Sequence, residues 1–420
     1  MSFNGKARRV VVTGMGAVTP IGLTVQDFWK NALAGVSGAG PITYFDTTQY
    51  DTKFAAELKG FNPLDYMDRK MVQRVDPFTQ YALAAAQGAV NDAAIDFSKI
   101  SPDRAGIIFG SGIGGMLTFM RQHETLVETK GPHRISPFFI PMMIADIAAG
   151  RISMKYGLKG PNYATTPACA TASHAIGDAF ILIQRGDADI MFSGGSEASI
   201  CPMGIGGFNA MKALSTRNDA PAKASRPFDK NRDGFVMGEG GGVLILEEIG
   251  HAVRRGAKIY AEIAGIGFTA DAHHITDPAP GGEGAVRSMR AAIRDAGVAP
   301  EEVDYVNAHG TSTPANDRNE TAAMKTVFGE HAKKLAVNST KSLIGHLLGA
   351  SGAVGSIATV MTLVENKIHP TINYETPDPD CDLYYVPNTS IERTVNVALC
   401  NTFGFGGHNA TLLFKKYRGN

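Results

Sequence analysis

The chain has 420 residues, 44% hydrophobic and only 19% charged, with 40 Lys+Arg balanced by 40 Asp+Glu. That supplies a large core, and a zero net charge excludes the basic excess a nucleic-acid binder carries. No stretch approaches 18 uninterrupted apolar residues, so no membrane span is expected, and the polar stretch Met1–Arg9 lacks the apolar core of a signal peptide.

The first predicted element is the β-branched strand Val10-Val11-Val12, running into Thr13-Gly14-Met15-Gly16. A helical stretch over Tyr81–Ala94 precedes a strand over Ala105–Phe109 and then Gly110-Ser111-Gly112. Ile113–Gly160 and Cys201–Glu239, rich in Pro, Met, Phe and charge, read as loop-like insertions. Between them lies Thr165-Thr166-Pro167-Ala168-Cys169-Ala170-Thr171-Ala172-Ser173, followed by a helical pattern over Ala170–Ile183 with Ile176, Phe180 and Ile183 at helical spacing. Gly240-Gly241-Gly242 then opens a strand over Val243–Leu246.

The same signals recur further on. Ala261-Glu262-Ile263-Ala264-Gly265-Ile266-Gly267 repeats the strand ending in Gly-x-Gly. A helical stretch over Val286–Ala296 precedes a strand over Val303–Ala308 and His309-Gly310-Thr311, and Gly406-Gly407 opens a strand over Ala410–Phe414. The common order of these matches predicts two α/β halves, residues 1–256 and 257–420, each with a parallel sheet covered by helices. No Gly/Ser linker separates them, so they pack as one body. The 48 glycines exceed the ordinary share of about 7% and cluster at turns.

Four side chains in this frame have chemical potential. Cys169 stands at a helix start among small residues, where about half a positive charge and free N–H donors favour thiolate. The alternative is a buried thiol packed as a hydrophobe. The four cysteines (169, 201, 381 and 400) lie far apart with no C-x-x-C, which excludes a zinc cluster or disulfide framework and fits a reducing compartment. His309 follows a strand directly, where open α/β sheets bind ligands. His346 lies in Lys341-Ser342-Leu343-Ile344-Gly345-His346-Leu347-Leu348-Gly349, before another small-residue helix. Lys341 needs a carboxylate partner if buried, with Glu320 and Asp317 as candidates. In Asn401-Thr402-Phe403-Gly404-Phe405-Gly406-Gly407-His408-Asn409 the glycines free backbone N–H groups to hold an oxyanion, while the phenylalanines also suit a core.

Two motifs carry less than they promise. Gly110–Gly115 satisfies G-x-G-x-x-G, the basis of an alternative reading as a nicotinamide-dependent oxidoreductase, but no clean helix is expected behind it and no acidic ribose ligand follows. Asp229–Gly234 resembles a calcium loop, yet its twelfth position is Gly240 and Glu239 falls one early.

Together the cysteine context, the two histidines, the lysine and the glycine-aromatic loop resemble the β-ketoacyl-[acyl carrier protein] synthases. Leu214–Asp219, Ser225–Asp229 and Gly404–Asn409 support the resemblance, which runs over essentially the whole chain and is nearest the type II elongating enzymes. It implies the thiolase-like duplicated fold, a five-layer α-β-α-β-α sandwich, and usually a homodimer in the cytoplasm. The implied reaction is decarboxylative condensation of malonyl-carrier with an acyl chain on Cys169, in fatty acid elongation or in a specialised secondary or signalling lipid pathway. Backbone N–H groups of Cys169 and Phe405 would form the oxyanion hole, Thr311 and Thr313 would hold the pantetheine arm, and His309 and His346 would stabilise the enolate. Phe405 with Phe403 would gate and line the site, Ile113 would floor the acyl pocket, and Lys341 supported by Glu320 would orient the charges. The resemblance implies neither cofactor nor catalytic metal, and no nucleic-acid partner. Acyl carrier protein is acidic, so Arg69, Lys70, Arg74, Lys130, Arg134 and Lys212 are candidate docking residues. Gly355 stands where relatives usually carry an acid, leaving Glu320 as the expected counter-charge to Lys341. His408 stands where some relatives carry threonine.

Overall fold

Glycine-punctuated β-branched runs form ten strands of one continuous sheet, seen in a computed structural model that describes residues 8–419; Met1–Ala7 of the polar N-terminal stretch lie outside the described residues. In chain order these are Val10–Val18 (β1), Ala105–Gly110 (β2), Asn162–Tyr163 (β3), Ile190–Glu197 (β4), Gly240–Glu248 (β5), Ala261–Ala270 (β6), Tyr305–Asn307 (β7), Ala336–Asn338 (β8), Val397–Gly404 (β9) and His408–Lys416 (β10). Their spatial order is β8-β7-β9-β10-β6-β1-β5-β4-β2-β3. Counted outward from the centre, each half runs first, fifth, fourth, second, third, so the repeat read from sequence is a repeat of topology. The halves join where Val10–Val12 pairs antiparallel with Ala261–Ile263.

The sheet is mixed, not parallel as expected. β2 is parallel to β3 and β4, and β7 to β8 and β9, but β5 and β10 run antiparallel to their neighbours. The tight turn at Phe405–Gly407 dictates this for β9 and β10, because a short turn joins only antiparallel strands.

Five long helices build the layers: Pro77–Ala93 (α1), Thr171–Arg185 (α2), Glu283–Asp295 (α3), Pro314–Phe328 (α4) and Ser351–Glu365 (α5). The two Gly-x-Gly signals now have a physical cause. A Cβ on Gly14 or Gly16 would sit 2.6 Å or 2.0 Å from the α1 carbonyls of Ala89 and Ala85. On Gly265 or Gly267 it would sit 2.3 Å or 2.0 Å from the α3 carbonyls of Ala292 and Ser288. The glycines let an outer helix rest directly on its strand.

α2 and α5 touch each other and strands of both half-sheets, so they lie between them. One apolar core surrounds this central pair, a second lies under α1 and a third under α3 and α4. The result is the α-β-α-β-α sandwich. Leu348–Glu365 has the length and mean hydropathy (1.4) of a membrane span, but 83% of it is buried as the central layer.

Ile113–Gly160 is largely helical rather than loop-like, with helices Met116–Glu128, Phe139–Met143 and Ile147–Tyr156. Met116, Phe119 and Met120 already have the i, i+3, i+4 spacing of the first. That helix opens directly behind Gly110–Gly115, against expectation. Cys201–Glu239 holds a helix at Pro202–Ala210, a single 3₁₀ turn at Pro221–Lys223 and otherwise mostly loop.

Candidate active site

Three chain turns place the chemistry. Ala168, with φ +48°, begins the short turn Ala168–Ala170 that delivers Cys169 to the N-terminal end of α2. Cys169 is 7% exposed, and its thiol is pushed up to about 11, chiefly by burial and slightly by Glu197. The Lys341 ammonium and the N–H groups of Phe405 and of Cys169 itself pull the other way. Of these only the Cys169 N–H belongs to the helix start on which the sequence-based expectation of a thiolate rests; desolvation outweighs all three, and the resting group is a neutral thiol.

Gly404 lies against this turn: a Cβ there would be 2.9 Å from Pro167 O and 3.2 Å from the N atoms of Cys169 and Ala170. Gly406 and Gly407 continue with φ +86° and +75°. The turn between β9 and β10 therefore brings the Phe405 amide to the sulfur.

His309 follows β7, and Gly310 (φ +37°) and Ser312 (φ +70°) bend the chain so that Thr311 and Thr313 line the same hollow, their hydroxyls 2.9 Å apart. His346 is held on the Val236–Gly238 segment by His346 N–H to Val236 O (2.7 Å) and Gly238 N–H to His346 O (2.9 Å). The two imidazoles are 5.4 Å apart at 85°. Nδ1 of His346 accepts from the Leu348 N–H at 3.2 Å, so Nδ1 carries no proton and the N–H lies on Nε2. Ser351 Oγ, 2.8 Å away, donates to the same nitrogen. Burial and the nearby Lys341 charge hold both histidines well below the usual imidazole range, with His346 a further cause for His309. Both are neutral at pH 7.

Cys169, His309, His346, Thr311, Thr313, Phe403 and Phe405 surround one cavity of about 310 Å³. Lys212, one of the candidate docking residues, stands at its mouth, 3.6 Å from Asp51. Asp271, Thr276, Asp277 and Pro278, which sequence reasoning passed over, form another wall, and Asn409 Nδ2 donates to Asp271 at 2.6 Å.

Other expected residues lie off this cavity. Ile113 is on an adjoining turn, 37% exposed. Lys341, 6% exposed, borders a small void with Asn307, Ser351, Gly355 and Cys400. Among the described residues no carboxylate lies within ion-pair distance of it. Burial holds its ammonium below the usual lysine range, and Glu320 opposes this only from a distance, because its oxygens accept from His309 N–H (2.9 Å), Gly310 N–H (2.8 Å) and Asn401 Nδ2 (3.2 Å). Asp317 is engaged by Phe228 N–H and Arg232. Arg69, Lys70, Lys130 and Arg134 are exposed, and Arg74 lies over the Phe138 ring at 4.5 Å, which places the 69–74 cluster beside the segment carrying Arg134.

The two weak motifs resolve as well. The amides of Gly112 and Ile113 are taken by Glu197, that of Gly114 by Ser111 Oγ and that of Gly115 by Met143 O, so four consecutive amides that would cradle a pyrophosphate are already engaged. Asp229 accepts from the amides of Asn231, Glu375 and Thr376, and no metal-binding cluster occurs among the described residues. Glu197, the buried carboxylate behind Cys169, is the main omission of the sequence reading. A charged residue closing the apolar strand Ile190–Glu197 was its available signal.

Residues 7–252 match the family "Beta-ketoacyl synthase, N-terminal domain" and residues 260–375 the family "Beta-ketoacyl synthase, C-terminal domain". The chain is 54% identical over 415 residues to a protein of Synechocystis sp. named 3-oxoacyl-[acyl-carrier-protein] synthase 2, covering 99% of this chain and 100% of that protein. A Staphylococcus aureus protein of the same name is 54% identical over 410 residues, with 98% and 99% covered. Among solved structures, the ishigamide ketosynthase/chain length factor superposes with TM-score 0.92 at 34% identity, covering 98% of this chain and 100% of that one. A type II PKS acyl-carrier protein in complex with its ketosynthase bound to the hexaketide matches with TM-score 0.90 at 36% identity, with the same coverage.

Proposed function

Because the chain belongs to the β-ketoacyl synthase family, we propose that it condenses malonyl-[acyl carrier protein] with a Cys169-bound acyl chain to give a 3-oxoacyl-[acyl carrier protein] in fatty acid elongation. The observation that carries this reading is the convergence of a neutral thiol and two neutral imidazoles on one cavity.

Cys169 attacks the carrier thioester. Its sulfur bonds to the acyl carbon, the pantetheine thiol leaves, and the proton of Cys169 goes with it. The amides of Cys169 and Phe405 face the developing oxyanion. Malonyl-carrier then enters past Thr311 and Thr313. Its carboxylate leaves as carbon dioxide, and the bonding pair passes into an enolate. Nε2–H of His346 and the ring of His309 stabilise that oxygen. Neutral donors suit a charge that exists only transiently, since their stabilisation is confined to the transition state. The enolate carbon attacks the acyl-cysteine, the C–S bond breaks, and the cysteine thiolate takes up a proton. The Lys341 charge reinforces the burial that keeps both histidines neutral. No step calls for a cofactor or metal.

The division into 1–256, with nucleophile and insertions, and 257–420, with the histidines, lysine and Gly-Phe turn, is supported by the repeated strand order. Ile113 borders the acyl chain. Arg69, Lys70, Arg74, Lys130, Arg134 and Lys212 dock the acidic carrier. The exposed edge strand Asn162–Tyr163 and the exposed Phe119, Val127, Ile140 and Ile181 provide for a homodimer. Four unpaired cysteines fit a cytoplasmic setting.

Incubation with acyl-carrier followed by mass spectrometry tests the reading. Acylation is expected on Cys169 and absent in Cys169→Ala; retention of full condensation by that variant would overturn it.

A further inference from the structure

This chemistry leaves the fully buried carboxylate of Glu197, directly behind Cys169, without a task. Glu197 ends β4 at 0% exposure, and among the described residues no cation lies within ion-pair distance. Every polar partner is a donor. Oε1 accepts from Ser111 Oγ (2.7 Å), Ile113 N–H (3.3 Å) and Ser199 Oγ (3.4 Å). Oε2 accepts from Gly112 N–H (2.8 Å) and Gly349 N–H (3.0 Å). Ser111 Oγ itself accepts from Gly114 N–H at 2.9 Å, which commits the hydroxyl proton to Glu197. Burial pushes the Glu197 carboxyl up, and these donors, which favour the ionised form, oppose it.

Three turns meet at this group, too closely for any Cβ. On Gly112 a Cβ would lie 2.9 Å from Glu197 Oε2 and 3.3 Å from both Ala168 O and Gly349 N. On Gly349 it would lie 2.3 Å from Gly112 N. So the turn bearing Ile113 touches the turn bearing Cys169, and Glu197 ties it to the turn behind His346. On that last turn the amides are consecutive: Leu348 N–H serves His346 Nδ1 and Gly349 N–H serves Glu197. Displacing one displaces the other.

We infer that Glu197 is a positioning residue that clamps the acyl-side turn Ser111–Gly114 to the His346-side turn Leu348–Gly349, so that acyl-chain accommodation and decarboxylation share one support. The inference rests on the proposed reading, in which Ile113 borders the acyl chain and His346 acts on malonyl.

Glu197→Gln keeps the shape but turns an NH₂ toward backbone N–H groups. Three rates are measured on the full chain: Cys169 acylation by hexanoyl-carrier, acylation by hexadecanoyl-carrier, and carbon dioxide release from malonyl-carrier. The last two are expected to fall ~10-fold, the order for one charge-assisted hydrogen bond, and the first to stay within about 2-fold. Equal loss of all three, or no loss in a variant that melts like the parent, overturns the proposal. Should Glu197→Gln fail to fold, Ser111→Ala decides: it releases the acyl-side turn alone, so long-chain acylation slows while carbon dioxide release holds. Unchanged long-chain acylation in Ser111→Ala overturns the proposal. Failure of the parent itself to acylate at Cys169 overturns the underlying reading instead.

Discussion

Ala168 and Leu348 hold the same left-handed backbone conformation, φ +48° and +45°, at the same point of the two halves. Each opens a three-residue turn, Ala168–Ala170 and Leu348–Ala350, that leads into a central helix. A non-glycine residue rarely adopts this conformation, and doing so twice in register marks a conserved bend of the duplicated unit. Cys169 is thereby the counterpart of Gly349. One copy of the bend presents a thiol, and the other presents an amide to Glu197. Gly349→Ala would force a Cβ within 2.9 Å of Glu197 Oε2. A loss of about 1–3 kcal/mol in stability is expected from such overpacking, read by denaturant unfolding.

The thiol's displacement to about 11 makes a prediction about reactivity. Alkylation of Cys169 by iodoacetamide, followed by mass spectrometry, should accelerate ~10-fold per pH unit and go on rising beyond pH 9, because only thiolate reacts. A plateau below pH 8 contradicts the buried-thiol account.

Among the described residues Lys341 has no carboxylate at ion-pair distance, and its charge adds to burial in holding His309 and His346 below the usual imidazole range. In Lys341→Met that pressure disappears. Burial remains, so carbon dioxide release should lose activity on the acid side at a higher pH than in the parent. The pH profile of malonyl decarboxylation reads this directly.

Glu239 supplies a stability test. Burial lifts its carboxyl to about 7, against hydrogen bonds from Tyr44 OH (2.5 Å), Leu58 N–H (2.9 Å) and Tyr81 OH (3.1 Å) that favour the ionised form. The folded state therefore binds a proton more tightly than the unfolded chain. Its contribution is fully present below the ordinary glutamate range near 4.5 and is lost as pH rises through about 7. Glu239→Gln should flatten this part of the curve, gaining on the parent by up to about 3 kcal/mol between pH 5 and 8. Melting temperatures of both proteins across that range measure it.

For docking, Arg69→Glu with Lys70→Glu should raise the Michaelis constant for carrier-bound substrates by ~10-fold and leave small thioester analogues unaffected, since rim charges steer encounter. Equal loss for both substrate types excludes the patch.

Much of this was legible in the sequence because it is local. The Gly-x-Gly strands, the turn at Cys169 and the Gly-Phe turn declare themselves within a few residues. The antiparallel return of β5 and β10 did not, because strand direction depends on where the chain has travelled. The resting state of Cys169 was misjudged for a similar reason. A helix start is visible in sequence, whereas desolvation by layers contributed from both halves is not. Glu197 was missed because its partners, Ser111, Gly112 and Gly349, are brought to it only by the fold.

The join between Val10–Val12 and Ala261–Ile263 carries a final implication. The chain behaves as a heterodimer fused into one polypeptide. Cys169 comes from one member, His309, His346 and the Phe405 amide from the other, and the cavity they line is the seam. On the proposed reading neither member alone holds a complete set of groups, so selection on catalysis acts on the fit between the halves as directly as on the residues within them.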